Sequence, residues 1–276
     1  MSLAEILKAI IFGAVEGITE WLPISSTGHM ILLEALMPLD VSEEFYSFFE
    51  VAVQLGAILA VILHYRKRLF PFVGEKTERK EALRLWGLTF IAVIPSGVIG
   101  LLFDDTLERL FYNPPTVAIM LILYGIGFIA VERYRNGRMP KVSNMSEVTS
   151  KKAFGVGIFQ TLALIPGTSR SGATILGACL LGASRPLAAE FSFFLAIPTM
   201  FGAGALRGIG FFAEGNIPTL SETAVLAAGM LTAFAVSAVT VKFLTDIVRR
   251  HSFSAFGVYR IVLGAAVLIY FFTGRL

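Results

Sequence analysis

Two carboxylates, Glu16 and Glu20, stand four residues apart, and Ser25, Ser26, Thr27, Gly28 and His29 follow shortly after. At a spacing of i, i+4 the two acids share one face of a helix. Two ionised carboxylates there repel each other unless a divalent ion or an arginine lies between them, or one keeps its proton and serves as a general acid. A second polar set lies further along the chain: Ser169, Arg170, Ser171, Gly172 and Thr174. The planar fork of an arginine matches phosphate oxygens two at a time. His29, beside two acids and a hydroxyl cluster, is a candidate for a nucleophilic or proton-transfer role. Taken together, these residue types suit the binding of a polyanion and transfer of a group from it.

The two sets are copies of one segment. Displaced by 144 positions, EGITEWLPISSTGHMIL (Glu16–Leu32) lies over QTLALIPGTSRSGATIL (Gln160–Leu176). Ser25 then falls on Ser169, Thr27 on Ser171, Gly28 on Gly172, Ile31 on Ile175 and Leu32 on Leu176. Glu20, however, falls on Leu164, His29 on Ala173 and Ser26 on Arg170. A duplication kept for architecture alone gives no reason for that division, in which one copy keeps acids, histidine and hydroxyls and the other the cation. The copies are therefore expected to face each other across one composite site. Each runs from proline and small residues through Ser/Thr-Gly into a new helix, whose unpaired N–H groups and partial positive charge suit an anion. Ser25, Ser26, Thr27, Ser169, Ser171 and Thr174 are candidate contacts to phosphate oxygens, with Gly28 and its N–H among them; capping of the helices is the plainer role for each hydroxyl.

The elements that must carry these residues are membrane helices. Of the 276 residues 55% are hydrophobic and only 16% charged, against about 25% charged in a soluble domain. Six runs are long enough to cross a bilayer, at about 46–64, 85–103, 116–133, 186–206, 223–244 and 255–273. The net charge of +3 is no argument for nucleic-acid binding, because membrane proteins concentrate Lys and Arg in cytoplasmic loops. Those basic loops are 64–84 (Arg66, Lys67, Arg68, Lys76, Arg79, Lys80, Arg84), 133–152 (Arg133, Arg135, Arg138, Lys141, Lys151, Lys152) and 245–254 with Arg249 and Arg250. Loops 104–115 and 207–222, each with a single arginine and more acids than bases, are expected outside. His64 and His251, beside arginines, are expected at the cytoplasmic boundary, and Cys179, the single cysteine, as a buried thiol.

The apolar stretches 4–36 and 153–183 remain, each with a motif near its middle. Charge parity requires each to enter and return on one side. The expected fold is thus an all-α integral membrane protein with an inverted-topology repeat, each half one re-entrant helical hairpin plus three transmembrane helices, and both termini outside. It is read as a single membrane domain over 1–276, with repeat one at about 1–135 and repeat two at about 152–276. In such a protein the broken-helix tips meet near the bilayer midplane. The same spacing places Gly13 and Gly17 as a small-xxx-small packing pair. Glu190, after Ser184-Arg185-Pro186, is expected to serve a helix start.

The residues Glu16 to His29 (EGITEWLPISSTGH) and Pro166 to Thr174 (PGTSRSGAT) resemble the undecaprenyl pyrophosphate phosphatases, also called bacitracin-resistance proteins. The EFSFFLAIP stretch from Glu190 and the basic LHYRKRLF stretch from Leu63 are similar to the family as well. The resemblance implies hydrolysis of undecaprenyl pyrophosphate to undecaprenyl phosphate and phosphate, which recycles the lipid carrier of cell-wall synthesis. It further implies a divalent cation, Mg²⁺ or Ca²⁺, with Glu16 and Glu20 as candidate ligands, and a bacterial inner membrane with the site opening to the periplasmic side. Matched by position, Glu16, Glu20, Ser26, His29 and Arg170 are the catalytic candidates, and Ser25, Thr27, Gly28, Ser169, Ser171 and Thr174 the substrate contacts. Ser26, His29 or water is left open as the nucleophile. Membrane lipids are the surrounding partners, no nucleic acid is expected, and the oligomeric state is open, a homodimer included. A lipid-phosphate transporter or flippase using the same anion site is the alternative reading.

Overall fold

The computed structural model describes residues 3–70, 76–250 and 252–274, the side chains at 104, 105, 108, 245, 246, 249 and 250 excepted. Within them the chain forms helices α1 (Leu3–Thr19), α2 (Ser26–Leu36), α3 (Glu43–His64), α4 (Arg66–Leu69), α5 (Lys76–Phe111) and α6 (Pro114–Arg135). After a single 3₁₀ turn at Met145–Glu147 come α7 (Ser150–Thr161), α8 (Arg170–Leu180), α9 (Arg185–Ala213), α10 (Leu220–Arg250) and α11 (Ser254–Phe272). No strand forms among the described residues, only an isolated bridge between Val142 and Ala183.

Among the described residues six helices are long and apolar enough to cross a membrane: Glu43–His64, Lys76–Phe103, Pro114–Arg135, Arg185–Ala213, Leu220–Leu244 and Ser254–Phe272. The six expected crossings map one to one onto them. Large apolar side chains such as Leu101, Leu231, Val262 and Ile269 face outward, as they must where the surroundings are lipid rather than water. The chain is an all-helical, multi-pass membrane protein.

Several boundaries differ from the expectation. Residues 104–111, read as loop, continue α5, and 207–213 likewise continue α9. Leu, Arg and Glu are good helix formers, so charge ends a membrane crossing without ending the helix. What stops α5 is Asn113-Pro114-Pro115: proline disfavours helical backbone before it, and Asn113 accepts from Thr116 N at 2.9 Å to cap α6. Ser184 caps α9, whereas Glu190 pairs with Arg68, joining the two family-like stretches. His64 lies at the end of α3; His251 lies outside the described residues, as do the side chains of Arg249 and Arg250.

The helices pair across the two halves of the chain. α1 packs along α10, α7 along α5, and α6 along α11, with α3 held between α9 and α10. Close crossings carry glycine. A Cβ on Gly13 would meet Gly229 O at 2.3 Å, and on Gly157, its counterpart in the second copy, Ala92 O at 2.2 Å. Gly13 and Gly17 thus serve helix packing. These crossings hold α1 and α7, and hence the start of each break, at fixed height.

Candidate active site

Both motifs fold as helix, break, helix. The first break spans Glu20–Ser25; the second spans the 3₁₀ turn Leu162–Leu164 and Ile165–Ser169. Each ends on a serine with positive φ, Ser25 at 73° and Ser169 at 70°, the only non-glycine residues so placed among the described residues. Such backbone costs roughly 1–3 kcal/mol. Each serine recovers part of it as an N-cap: Ser25 Oγ accepts from Gly28 N at 3.4 Å and Ser169 Oγ from Gly172 N at 3.1 Å. In the second break Gly167 turns at φ 87°, where a Cβ would strike Val117 O at 2.4 Å.

The breaks meet, and a carboxylate joins them. Glu20 Oε2 accepts from Ser26 Oγ at 2.8 Å, while Glu20 Oε1 pairs with Arg170 Nη2 at 2.7 Å. A hydroxyl from one copy and a guanidinium from the other are thus bridged by one buried acid. Arg170 Nη1 donates to Ser192 O at 2.8 Å and to Ser192 Oγ at 3.3 Å, and its Nε is buried without a partner among the described residues. An inner cavity of about 200 Å³ is lined by Glu20, Ser26, Thr27, Ser169, Arg170 and Gln160, among others. At ~30 Å³ per water, it has room for a phosphoryl group and a few waters. An outer cavity of about 660 Å³ adjoins it, sharing Thr27, Gln54, Ala163, Leu164 and Pro166, and is lined further out by Glu16, Glu34, Glu50, Tyr112 and Arg207.

The remaining predicted residues divide by what they touch. Ser171 Oγ donates to Glu20 O (3.1 Å) and Leu22 O (3.2 Å), and Thr174 Oγ1 to Arg170 O (2.9 Å), with Ser192 Oγ 2.7 Å away. These two buried hydroxyls, with Ser25 and Gly28, knit the breaks together and line neither cavity. His29 is turned away from Glu20: its Nδ1 lies 2.7 Å from Ser25 O and its Nε2 2.7 Å from Tyr259 Oη, with the two rings stacked. It lines neither cavity. Glu16 is 1% exposed and faces the outer cavity, with Oε1 unpartnered among the described residues. Glu16 and Glu20 therefore serve different cavities, and no group of three or more His, Cys, Asp or Glu able to hold a metal occurs among the described residues.

One fully buried charged group is passed over by motif reading. Arg260, within α11, is 0% exposed. Its Nη2 donates to Gly167 O (2.8 Å) and Thr168 O (2.9 Å), its Nη1 to Pro23 O (3.2 Å) and its Nε to Leu121 O (3.4 Å). The guanidinium also lies over the Tyr124 ring at 5.5 Å. It ties the first break to the second without lining either cavity. An arginine inside an apolar run is a signal in itself, since charge at membrane depth is expensive. Gln160 is the second such residue, in the position of the second copy that Glu16 holds in the first.

Residues 9–266 match the model of the family described as bacitracin resistance protein BacA. The chain is similar over nearly its whole length to curated proteins. Among these is undecaprenyl-diphosphatase of Desulfitobacterium hafniense, 53% identical over 274 residues and 98% of each chain. Undecaprenyl-diphosphatase 1 of Clostridioides difficile is 55% identical over 277 residues, again 98% of each. Undecaprenyl-diphosphatase of Enterococcus faecalis is 51% identical, covering 98% of this chain and 99% of the relative. A match over this much of the chain, with both motifs inside it, makes the protein a member of the bacitracin resistance protein BacA family.

Proposed function

We infer that this protein is a membrane phosphatase that hydrolyses undecaprenyl diphosphate to undecaprenyl phosphate and inorganic phosphate. The observation that carries the chemistry is the Glu20 carboxylate, which bridges Ser26 Oγ and Arg170 within one cavity. Ser26 is the nucleophile in this reading, because its hydroxyl already donates to an acid at 2.8 Å. Its oxygen attacks the terminal phosphorus, its proton passes through Glu20 to the departing undecaprenyl phosphate, and the phosphoanhydride bond breaks. Water then attacks the phosphoserine; its hydroxyl goes to phosphorus and its proton, through Glu20, returns to Ser26. Arg170 and the starts of α2 and α8 stabilise charge on the equatorial oxygens, which is most of what phosphoryl transfer requires. His29 holds the first break through Ser25 and Tyr259.

A divalent cation fits this site in one respect: Glu16 presents a buried carboxylate oxygen with no partner among the described residues. Magnesium is commonly held by one or two carboxylates together with substrate phosphates. Glu16 would hold such an ion together with substrate oxygens, and the ion when bound would offset the charge of the diphosphate; both Glu20 oxygens are already engaged by Ser26 and Arg170. The two motifs are the tips of re-entrant hairpins in an inverted repeat, with halves at about 1–135 and 152–276; the exchange of helix partners between halves supports this. Tyr112 and Arg207, from the two acid-rich loop regions, line the outer cavity, which favours an opening on the periplasmic face of the inner membrane.

The test is phosphate release from undecaprenyl diphosphate by purified protein in detergent, with and without EDTA, beside Arg170→Ala and Glu20→Gln. Release that EDTA suppresses and both substitutions abolish is expected. No release from folded wild-type protein would overturn the reading and leave lipid-phosphate movement to be assayed in vesicles.

A further inference from the structure

The inner cavity contains a polar group that the chemistry above leaves unused. Gln160, near the end of α7, is 2% exposed and lines the cavity beside Glu20, Ser26 and Arg170. Its Nε2 donates to Ser96 Oγ at 2.7 Å and to Thr199 Oγ1 at 3.3 Å. Those hydroxyls are left only to accept, because Ser96 gives its proton to Val93 O at 3.1 Å and Thr199 gives its proton to Leu195 O at 2.8 Å. In the structure the amide nitrogen faces both hydroxyls and the carbonyl oxygen is turned from them. Each hydroxyl follows a proline inside a helix, Pro95 in α5 and Pro198 in α9. The Gln160 carbonyl oxygen is thus a buried acceptor without a partner among the described residues.

That oxygen narrows what it can serve. Ser26, Thr27, Ser169 and Arg170 all offer donors to the cavity, and ionised phosphate oxygens take donors. A carbonyl oxygen offers phosphate nothing, but it accepts readily from water. It also carries no charge to repel the substrate and takes no proton at neutral pH. In the first copy the same position is Glu16, facing the outer cavity. The duplicated position thus became an acid on one side and a neutral acceptor on the other.

We propose that Gln160 holds and orients the water that hydrolyses the phosphoserine at Ser26, as a positioning residue for the second half of the reaction. The proposal rests on the phosphatase reading with Ser26 as nucleophile. The water donates one proton's hydrogen bond to Gln160 Oε1 and turns its lone pair to phosphorus. Its hydroxyl becomes part of the released phosphate, and its other proton returns through Glu20 to Ser26 as the Ser26–phosphorus bond breaks.

The experiment is rapid-quench turnover of undecaprenyl diphosphate labelled in its terminal phosphate, using the full chain in detergent. Wild type, Gln160→Leu and Gln160→Met, the latter closer in length, are compared. In wild type, undecaprenyl phosphate and phosphate should appear together. Either substitution should leave an initial burst of undecaprenyl phosphate of about one per enzyme, then slow phosphate release by roughly 10- to 100-fold, with label retained on the Ser26 peptide. Unchanged turnover in both variants would overturn the proposal. So would equal slowing of both products without a burst, which marks a brace for Ser96 and Thr199, or a raised KM at constant kcat, which places the oxygen against substrate. Absence of phosphate release in wild type, or full turnover by Ser26→Ala, would instead sink the underlying reading.

Discussion

Replacing Arg260 with methionine should both destabilise the protein and impair turnover. The side chain is fully buried and donates to carbonyls of Pro23, Gly167 and Thr168, at 3.2, 2.8 and 2.9 Å. These carbonyls sit in the two breaks, where no helix supplies another donor. A hydrogen bond from a charged group is worth about 1.5–3 kcal/mol, and a buried acceptor left alone costs about 1–3 kcal/mol. Against this stands the recovered cost of burying the guanidinium, several kcal/mol. The net expectation is a loss of about 3–5 kcal/mol, the lower part of what three stranded carbonyls at about 1–3 kcal/mol each would cost, because the recovered desolvation offsets some of it. At about 2–4 °C per kcal/mol, the unfolding midpoint should fall by roughly 6–20 °C. Cys179 supplies the assay: as the single cysteine, and buried, it reacts with a thiol-reactive fluorophore only on opening. Ser26 and Arg170 lie three and two residues beyond the clamped Pro23 and Thr168, so relaxation by about 1 Å would cost on the order of 10²-fold in kcat. Arg260→Lys keeps the charge but cannot reach both breaks, and should recover little. A methionine variant with unchanged midpoint and unchanged kcat would refute the clamp.

Other substitutions separate the roles of backbone and side chain. Ser169→Gly should cost only a few tenths of a kcal/mol, since glycine accepts the positive φ, whereas Ser169→Ala loses the cap and keeps the strain, at about 1–2 kcal/mol; thermal midpoints decide between them. Gly157→Ala, with its Cβ 2.2 Å from Ala92 O, should overpack the α5–α7 crossing by about 1–3 kcal/mol or more, while Gly210→Ala, helical and with nothing within 4 Å, should raise the midpoint slightly, stabilising by up to about 1 kcal/mol. Removing the acid of the central bridge by Glu20→Gln leaves Arg170 buried without its countercharge. The midpoint should fall along with activity, and added phosphate should restore part of it.

The crossings were legible because a bilayer imposes length and apolarity on each one. The breaks were legible because Pro, Ser and Gly interrupt otherwise continuous apolar stretches. That the two copies complete one site followed from their unlike residues, Ser26 against Arg170. Other features depend on distant neighbours. Where the His29 ring points is decided by Tyr259, in a helix near the other end of the chain. Arg260 hides in a run whose apolar neighbours outweigh one charge, and its partners are backbone carbonyls, which carry no mark in a sequence. Gln160 reads as an ordinary polar residue until Ser96 and Thr199 are seen against its amide nitrogen. The ends of α5 and α9 were misplaced because charged residues leave the bilayer without leaving the helix.

The exchange of helix partners also orders events during synthesis. α1 is made first, yet its glycine face meets α10, roughly 200 residues later in the chain. At ~5–20 residues per second, that is a wait on the order of 10–40 s. α5 likewise waits for α7. Through that interval the nascent first half holds Glu16 and Glu20 in an apolar hairpin without the arginine that answers Glu20. Until the second half arrives, the first half therefore lacks the helix partners and the arginine that the finished fold supplies. Truncation after α6 should yield a product that quality-control proteases clear, while the two halves expressed together as separate chains should rescue each other.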